Sequence, residues 1–438
     1  MTREEEWQRI EKLYDEVLDL KSYDAIERIL PTFILEDFQC ADLVRSLFFR
    51  RFIFSYDTGL GKTLMACAWM KMLKRQDPNR KFLFFVTKAQ LSQTPSKVAE
   101  ATGFKITCST GESEELEKNI FRKDLDKYDV VMLTHSALNN AGLMLELYKN
   151  REKFFGVIVD EAHELSNMQG AKSAFSFLTM MHYFKWGLAL TATPMKISPS
   201  ELVNLMYIMN RDAIYDIKTC EGMLLEGGID KFRDLIVVRT RKELGIYSKY
   251  VPHVHMLEPT HAQFQASGQN MFTITKGEGA YPETNKVIEI INSHKPSRGL
   301  MYINQHAIRD FVTSELDKTD IRYDCINGKT KTADRTRICD EFNSGKLDLI
   351  ITSVTSALDL DCDYLIFYEF TVDLKQMIGR AERGLNPKTL DIHYIFVAHT
   401  EEPTYFYKNI YLRSLMVKTV LGQDVEHVIK AMKMVASS

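Results

Sequence analysis

The stretch Phe52-Ile53-Phe54-Ser55-Tyr56-Asp57-Thr58-Gly59-Leu60-Gly61-Lys62-Thr63 decides the fold. It runs from three consecutive apolar residues, through a loop with two glycines, into a helical stretch from Leu64 to Leu73. That is the strand–loop–helix order of a phosphate-binding loop. Gly59 and Gly61 let the backbone turn its N–H groups toward phosphate oxygens, with Thr58 in the same loop. Lys62 would reach the β- and γ-phosphates, and Thr63 would offer its hydroxyl to Mg²⁺. Tyr56 stands where the pattern G-x-x-x-x-G-K-[ST] begins with glycine. Taken alone, the stretch also reads as a glycine-rich turn beside a surface lysine.

A second segment argues against that plainer reading. Val157-Ile158-Val159-Asp160-Glu161-Ala162-His163 sets two carboxylates at the end of an apolar strand. Asp160 suits a contact to Mg²⁺ opposite the loop, and Glu161 is placed to polarise an attacking water. His163 has no Cys or His at ligand spacing, which favours a coupling hydrogen bond over zinc.

Outward from these segments, short apolar runs alternate with amphipathic stretches. The runs are Phe82–Val86, Val130–Leu133, Val157–Val159 and Leu188–Leu190, then Leu300–Ile303, Leu349–Ile351, Tyr364–Tyr368 and Ile392–Val397. Consecutive apolar positions fit strands buried on both faces of a parallel sheet, with crossover helices between them. The expected class is α/β, as two lobes. An amphipathic helical segment is expected over 1–30, the first lobe over 31–245, a connector over 246–286 and the second lobe over 287–438. The stretch from Asn409 reads as helical, to pack on the second lobe or to meet a partner.

The composition excludes several classes. The chain has 438 residues, 45% hydrophobic and 26% charged, which is ample for a core and too apolar for disorder. Lys+Arg 56 against Asp+Glu 59 gives −3, so a polyanion must be held by local groups and not by global charge. The longest apolar candidate, Ser46 to Tyr56, is interrupted by Arg50 and Arg51 and is too short for a bilayer. The acidic start lacks the apolar core of a secretion signal, and the seven cysteines form no C-x-x-C. A reducing, intracellular setting is expected.

With these residues in this order, the chain resembles the superfamily 2 helicases and translocases, from about residue 33 to 400. Leu35-Glu36-Asp37-Phe38-Gln39 resembles the element whose glutamine reads adenine, which assigns Gln39, with Glu36 in place of the usual arginine. Val86-Thr87-Lys88 and Leu133-Thr134-His135 resemble the strand ends that touch nucleic-acid phosphates. Thr191-Ala192-Thr193-Pro194 resembles the motif that couples hydrolysis to movement. In the second half, Ile350-Ile351-Thr352-Ser353 through Ala357-Leu358-Asp359 resembles the motif for nucleic acid and ribose. Gln376-Met377-Ile378-Gly379-Arg380-Ala381-Glu382-Arg383 matches Q-x-x-G-R-x-x-R in full. Its spacing puts Arg380 and Arg383 on one helical face. Val238-Arg239-Thr240-Arg241-Lys242 and Ile326-Asn327-Gly328-Lys329-Thr330 are similar to segments of the Swi/Snf-type ATPases. The intervals around them are short for that branch and suggest a stripped-down motor of viral or phage size.

The resemblance implies tandem RecA-like lobes with ATP and Mg²⁺ in the cleft between them. Gln39, Lys62, Thr63, Asp160 and Glu161 would come from one lobe, with Arg380, Arg383 and Asp359 from the other. Thr87, Lys88, Thr134, Asn327, Thr352 and Ser353 would grip phosphates, while His163, Thr191, Thr193 and Gln376 would couple the two events. It implies a monomeric ATP-driven motor on DNA, with duplex favoured, RNA open, a protein partner possible and no membrane. A strand-separating helicase and an ATP-gated nucleic-acid clamp are the alternatives.

Overall fold

The computed structural model describes residues 26–110, 120–166, 172–196, 198–246, 248–268, 276–353, 360–381 and 388–437. Most of the amphipathic segment expected over 1–30 lies outside them. The chain divides into two units, Met1–Arg239 and Thr240–Ser438.

The first unit is built on seven strands: β1 (Arg51–Tyr56), β2 (Lys81–Val86), β3 (Ile106–Ser109), β4 (Val130–Thr134), β5 (Phe154–Val159), β6 (Trp186–Thr191) and β7 (Ile236–Arg239). Their order is β3-β4-β2-β5-β6-β1-β7, with every pairing parallel. The main helices are α1 (Asp37–Phe49), α2 (Lys62–Gln76), α3 (Thr94–Thr102), α4 (Ala141–Lys149), α5 (Lys172–Met181), α6 (Pro199–Met209) and α7 (Ile217–Gly227). In β2, β5 and β6 every residue is buried. Helices cover both faces of such a sheet, so its strands are apolar at consecutive positions.

The second unit carries six strands: β8 (Lys249–Leu257), β9 (Gly299–Tyr302), β10 (Tyr323–Ile326), β11 (Leu349–Thr352), β12 (Tyr364–Phe367) and β13 (Thr389–Val397). Their order is β10-β11-β9-β12-β13-β8, again all parallel. The helices are α8 (His261–Ala266), α9 (Tyr281–His294), α10 (His306–Leu316), α11 (Thr332–Asn343), α12 (Leu374–Ala381), α13 (Glu402–Phe406), α14 (Leu412–Leu421) and α15 (Glu426–Ser437). Alternate residues of one strand serve opposite cores: Leu300, Leu365 and Phe367 pack on one side, Met301, Tyr364 and Ile366 on the other. α15 joins the first of these cores through Val428, Ala431 and Val435, so the C-terminal stretch packs on its own sheet.

Two differences from the sequence expectation have a physical cause. The stretch expected as a connector, 246–286, opens with the nine-residue strand β8. Its Pro252 is tolerated because β8 is an edge strand, paired only with β13, where a missing N–H interrupts no second ladder. The strands β3 and β10, Ile-Thr-Cys-Ser and Tyr-Asp-Cys-Ile, form no apolar run because both are half-exposed edges.

β8 and its partner β13 carry a group of histidines. His255 Nε2 lies 3.0 Å from His393 Nδ1, and His253 Nε2 lies 2.7 Å from Asp391 Oδ1. Burial pushes His393 down to about 2 and His255 to about 4. Both stay neutral in the fold but gain a proton near pH 6.5 once unfolded. The unfolded state therefore binds more protons below that pH. The stability due to these two side chains is complete above pH 6.5 and is lost as the pH falls toward 4 and below. Hydrogen exchange, corrected for intrinsic pH dependence, should show protection of β8 and β13 falling by up to about tenfold per pH unit for each histidine. Unchanged protection between pH 7 and pH 5 would reject this.

Candidate functional site

In a parallel sheet all strands end on one edge, so the topology of the first unit collects its strand-end residues there. Along that edge lie Thr134 at the end of β4, Thr87 after β2, Asp160 after β5, Thr191 at the end of β6 and the glycine loop after β1. Only β6 separates β1 from β5. At about 4.8 Å per strand, the loop and Asp160 leave the sheet about 10 Å apart.

The loop has the backbone that anion binding needs. Gly59 and Gly61 have φ of 82° and 86°, the left-handed region that side chains resist. Gly61 is the N-cap of α2 and supplies no side-chain cap, so the first N–H groups of a 15-residue helix face the loop. A Cβ on Gly61 would fall 2.7 Å from Gln39 Nε2, so any larger residue would push the end of that side chain aside. Lys62 Nζ donates to the carbonyl of Tyr56 at 2.9 Å. Gln39 receives the N–H of Glu36 on its side-chain oxygen (2.9 Å) and donates to Leu60 O (3.1 Å). Glu36 thus caps α1 together with Gln39, and Gln39 ties that helix to the loop.

The carboxylates are buried beside it. Asp160 and Glu161 are 3% and 6% exposed. Asp160 Oδ1 accepts the Glu161 N–H at 2.9 Å, and Oδ2 accepts from Gln90 Nε2 at 2.9 Å. Burial, and then the charge of Glu161, push the Asp160 carboxyl up to about 6 against the pull of Lys62. Glu161 has φ 49°, a left-handed conformation rare for a non-glycine residue and characteristic of strained functional turns. Its Oε2 lies 3.5 Å from His163 Nδ1, which is 3.0 Å from Thr191 Oγ1. Thr193 N–H donates to the same hydroxyl at 3.1 Å. His163, Thr191 and Thr193 therefore form one chain ending at Glu161.

The remaining expected residues are placed as follows. Thr87 is buried and bonded to Gln90, and Lys88 is exposed. Thr134 is buried, its hydroxyl donating to Thr110 O at 2.6 Å. In the second unit Asn327 follows β10, Thr352 ends β11 and Ser353 follows it. Asn327 Oδ1 accepts from Lys329 N–H (2.8 Å), closing its own turn. Gln376 is buried on α12, the helix that also carries Arg380. Asp359 and Arg383 lie outside the described residues.

Sequence reasoning missed four participants. Gln90 follows Thr87 at the spacing of a capping box, T-x-x-Q, which is a legible signal. His135 bonds the Asp160 carbonyl (2.8 Å) and Glu164 (3.1 Å). Asp42 and Arg239 pair behind the loop, with Arg239 Nε and Nη2 each 2.8 Å from the carboxylate. Asp42 also accepts from Tyr56 OH at 2.7 Å. The site that begins its loop with tyrosine thus anchors that tyrosine to a buried ion pair.

The residues fit a nucleoside triphosphate with Mg²⁺. The uncapped N-terminus of α2 and Lys62 suit phosphate, while Thr63 and Asp160 offer the hard oxygen donors that Mg²⁺ takes.

Two family models match the chain. Residues 22–196 match the type III restriction enzyme res subunit family, and residues 283–384 match the helicase conserved C-terminal domain family. No curated protein matches by sequence. Among solved structures, the Sulfolobus solfataricus SWI2/SNF2 ATPase core in complex with dsDNA is 15% identical, covering 96% of this chain and 97% of that chain at a TM-score of 0.40. One family match falls on each parallel sheet, the first spanning both the glycine loop and Asp160-Glu161. The chain belongs to the superfamily 2 helicases and translocases, as an ATP-hydrolysing member with two RecA-like lobes.

Proposed function

We propose that the chain is a nucleic-acid-stimulated motor that translocates on double-stranded DNA or remodels protein–DNA complexes, driven by ATP-dependent closing and opening of its lobes. The observation that carries this reading is the shared sheet edge, where the glycine loop, Asp160-Glu161 and the ends of β2 and β4 lie side by side.

ATP phosphates would lie on the N-terminus of α2 and on Lys62, with Gln39 toward the base. Mg²⁺ held by Thr63 and Asp160 would neutralise phosphate charge. Glu161 would orient the attacking water, and its link to His163, Thr191 and Thr193 would carry the change in charge toward the phosphate-gripping strand ends. Arg380 and Arg383 would complete the site from the second lobe, with Gln376 on the same helix and Asp359 toward the ribose. Because neither lobe holds a full set, ATP binds the closed arrangement better than the open one. That differential affinity is what any driven motion requires.

Thr87, Lys88, Thr134, Asn327, Thr352 and Ser353 would take the nucleic-acid phosphates. Hydroxyl and N–H contacts to phosphate carry no base code, so binding is largely sequence-independent and compatible with a net charge of −3. The Swi/Snf-like segments around Arg239 and Asn327 favour duplex.

The test is ATP turnover with duplex DNA, single-stranded DNA and RNA, beside triplex displacement and strand separation. Stimulation by duplex with triplex displacement and no unwinding is expected. Strand separation would replace this reading with that of a helicase. Turnover indifferent to every nucleic acid would reject both.

A further inference from the structure

Gln90 stands between the strand end that offers Thr87 and the carboxylate of Asp160. Its side-chain oxygen accepts both the N–H and the hydroxyl of Thr87, each at 3.0 Å. Its Nε2 donates to Asp160 Oδ2 at 2.9 Å. The two ends fix the amide's orientation, since a flipped group would set oxygen against carboxylate and NH₂ against two donors. Gln90 is also held from behind, its own N–H bonding the Thr87 carbonyl at 3.0 Å. By contrast, the Thr134 hydroxyl serves Thr110 and Ser136, while the ring nitrogens of His135 bond the backbone oxygen of Asp160 and the side chain of Glu164. Gln90 thus bonds both Thr87 and the Asp160 carboxylate.

The N–H and O–H of Thr87 are the same donors that a backbone phosphate would use. A phosphate oxygen carries formal charge, and charge-assisted hydrogen bonds are about twice as strong as those to a neutral amide. A phosphate arriving at Thr87 therefore displaces Gln90 Oε1. Once those two bonds are gone, the amide is held from the Asp160 end alone, so Nε2 leaves Oδ2 more readily and Oδ2 regains the charge density that the amide was drawing off.

We propose that Gln90 is a positioning residue that restrains Asp160 until a nucleic-acid phosphate takes Thr87 from it. Binding on the track is thereby reported to the ATP site through one side chain. The inference rests on the reading of Thr87 as a phosphate contact.

The test uses the full chain with Gln90→Ala and with Gln90→Asn, whose side chain is one methylene too short to span the two partners. ATP turnover is measured without nucleic acid and with saturating duplex DNA, single-stranded DNA or RNA, and the half-saturating Mg²⁺ is measured without nucleic acid. Both variants should raise the unstimulated rate about tenfold, equivalent to about 1.4 kcal/mol. The stimulated rate should stay within about twofold, so the stimulation ratio collapses, and the half-saturating Mg²⁺ should fall. If the wild type is stimulated and the variants keep its ratio, or if both rates drop together as a damaged turn predicts, the inference is overturned alone. If no nucleic acid stimulates the wild type, the inference falls together with the reading beneath it.

Discussion

Lys62→Ala should lower ATP turnover by about a hundred- to a thousandfold, the loss that follows removal of one preorganised charge-stabilising donor. Lys62 is the first residue of α2, and its ammonium already lies over the loop, 2.9 Å from the Tyr56 carbonyl. A phosphate entering the loop would meet this cation and the N–H groups of the helix end together. Alanine keeps the helix, for which it is the best former, and leaves the glycine backbone in place. The loss should therefore be one of chemistry and phosphate binding without unfolding. The contrast is Glu161→Gln, which is isosteric and leaves Lys62 alone: nucleotide binding should persist while turnover collapses. Steady-state turnover and binding of a fluorescent ATP analogue read the two apart. A Lys62→Ala protein that hydrolyses within tenfold of wild type would show that the loop is not the phosphate cradle.

The second large effect is on stability. Asp42 is 0% exposed and is gripped by both Arg239 and Tyr56. Burial, with the charge of Asp42 beside it, raises the Tyr56 phenol well above its ordinary value, which keeps it a donor. Removing the carboxylate leaves a largely buried guanidinium and a buried hydroxyl without their acceptor. Breaking such a pair from one side costs about 3–5 kcal/mol, whereas replacing the whole pair with apolar groups is often neutral. For a unit of this size each kcal/mol moves Tm by about 2–4 °C. Asp42→Ala should thus lower the melting temperature of the first unit by about 10 °C, and Asp42→Leu combined with Arg239→Met should recover much of it. Trp69 and Trp186 are both buried in that unit, so their fluorescence follows the transition. A shift below about 2 °C for the single variant would mean that the ion pair is solvated and contributes little. The network also reaches the loop through the backbone, because the Asp57 N–H donates to Arg239 O at 2.9 Å. Loss of ATP affinity should accompany the loss of stability.

Much of this molecule is legible from local chemistry. The runs at Phe82, Val130, Val157, Leu188, Leu300, Leu349, Tyr364 and Ile392 are all central or near-central strands, because burial on both faces demands apolar residues in succession. The glycine loop is readable for a similar reason: positive φ at Gly59 and Gly61 restricts the residue type at the position itself. Edge strands escaped this logic. β8, with Pro252 and alternating histidines, reads as a connector because only its pairing with β13 makes it a strand.

The chain by itself determined which segments are strands of a parallel sheet, where the glycine loop lies, and which carboxylates follow the fifth strand. These are properties of residues and their immediate neighbours. Only the tertiary structure decided that Gln90 reaches Asp160, that Asp42 holds both Tyr56 and Arg239, and that His163 joins Thr191. Each of those bonds connects residues distant in sequence, and the order of parallel strands, set by how the helices cross over, is what brings their ends together.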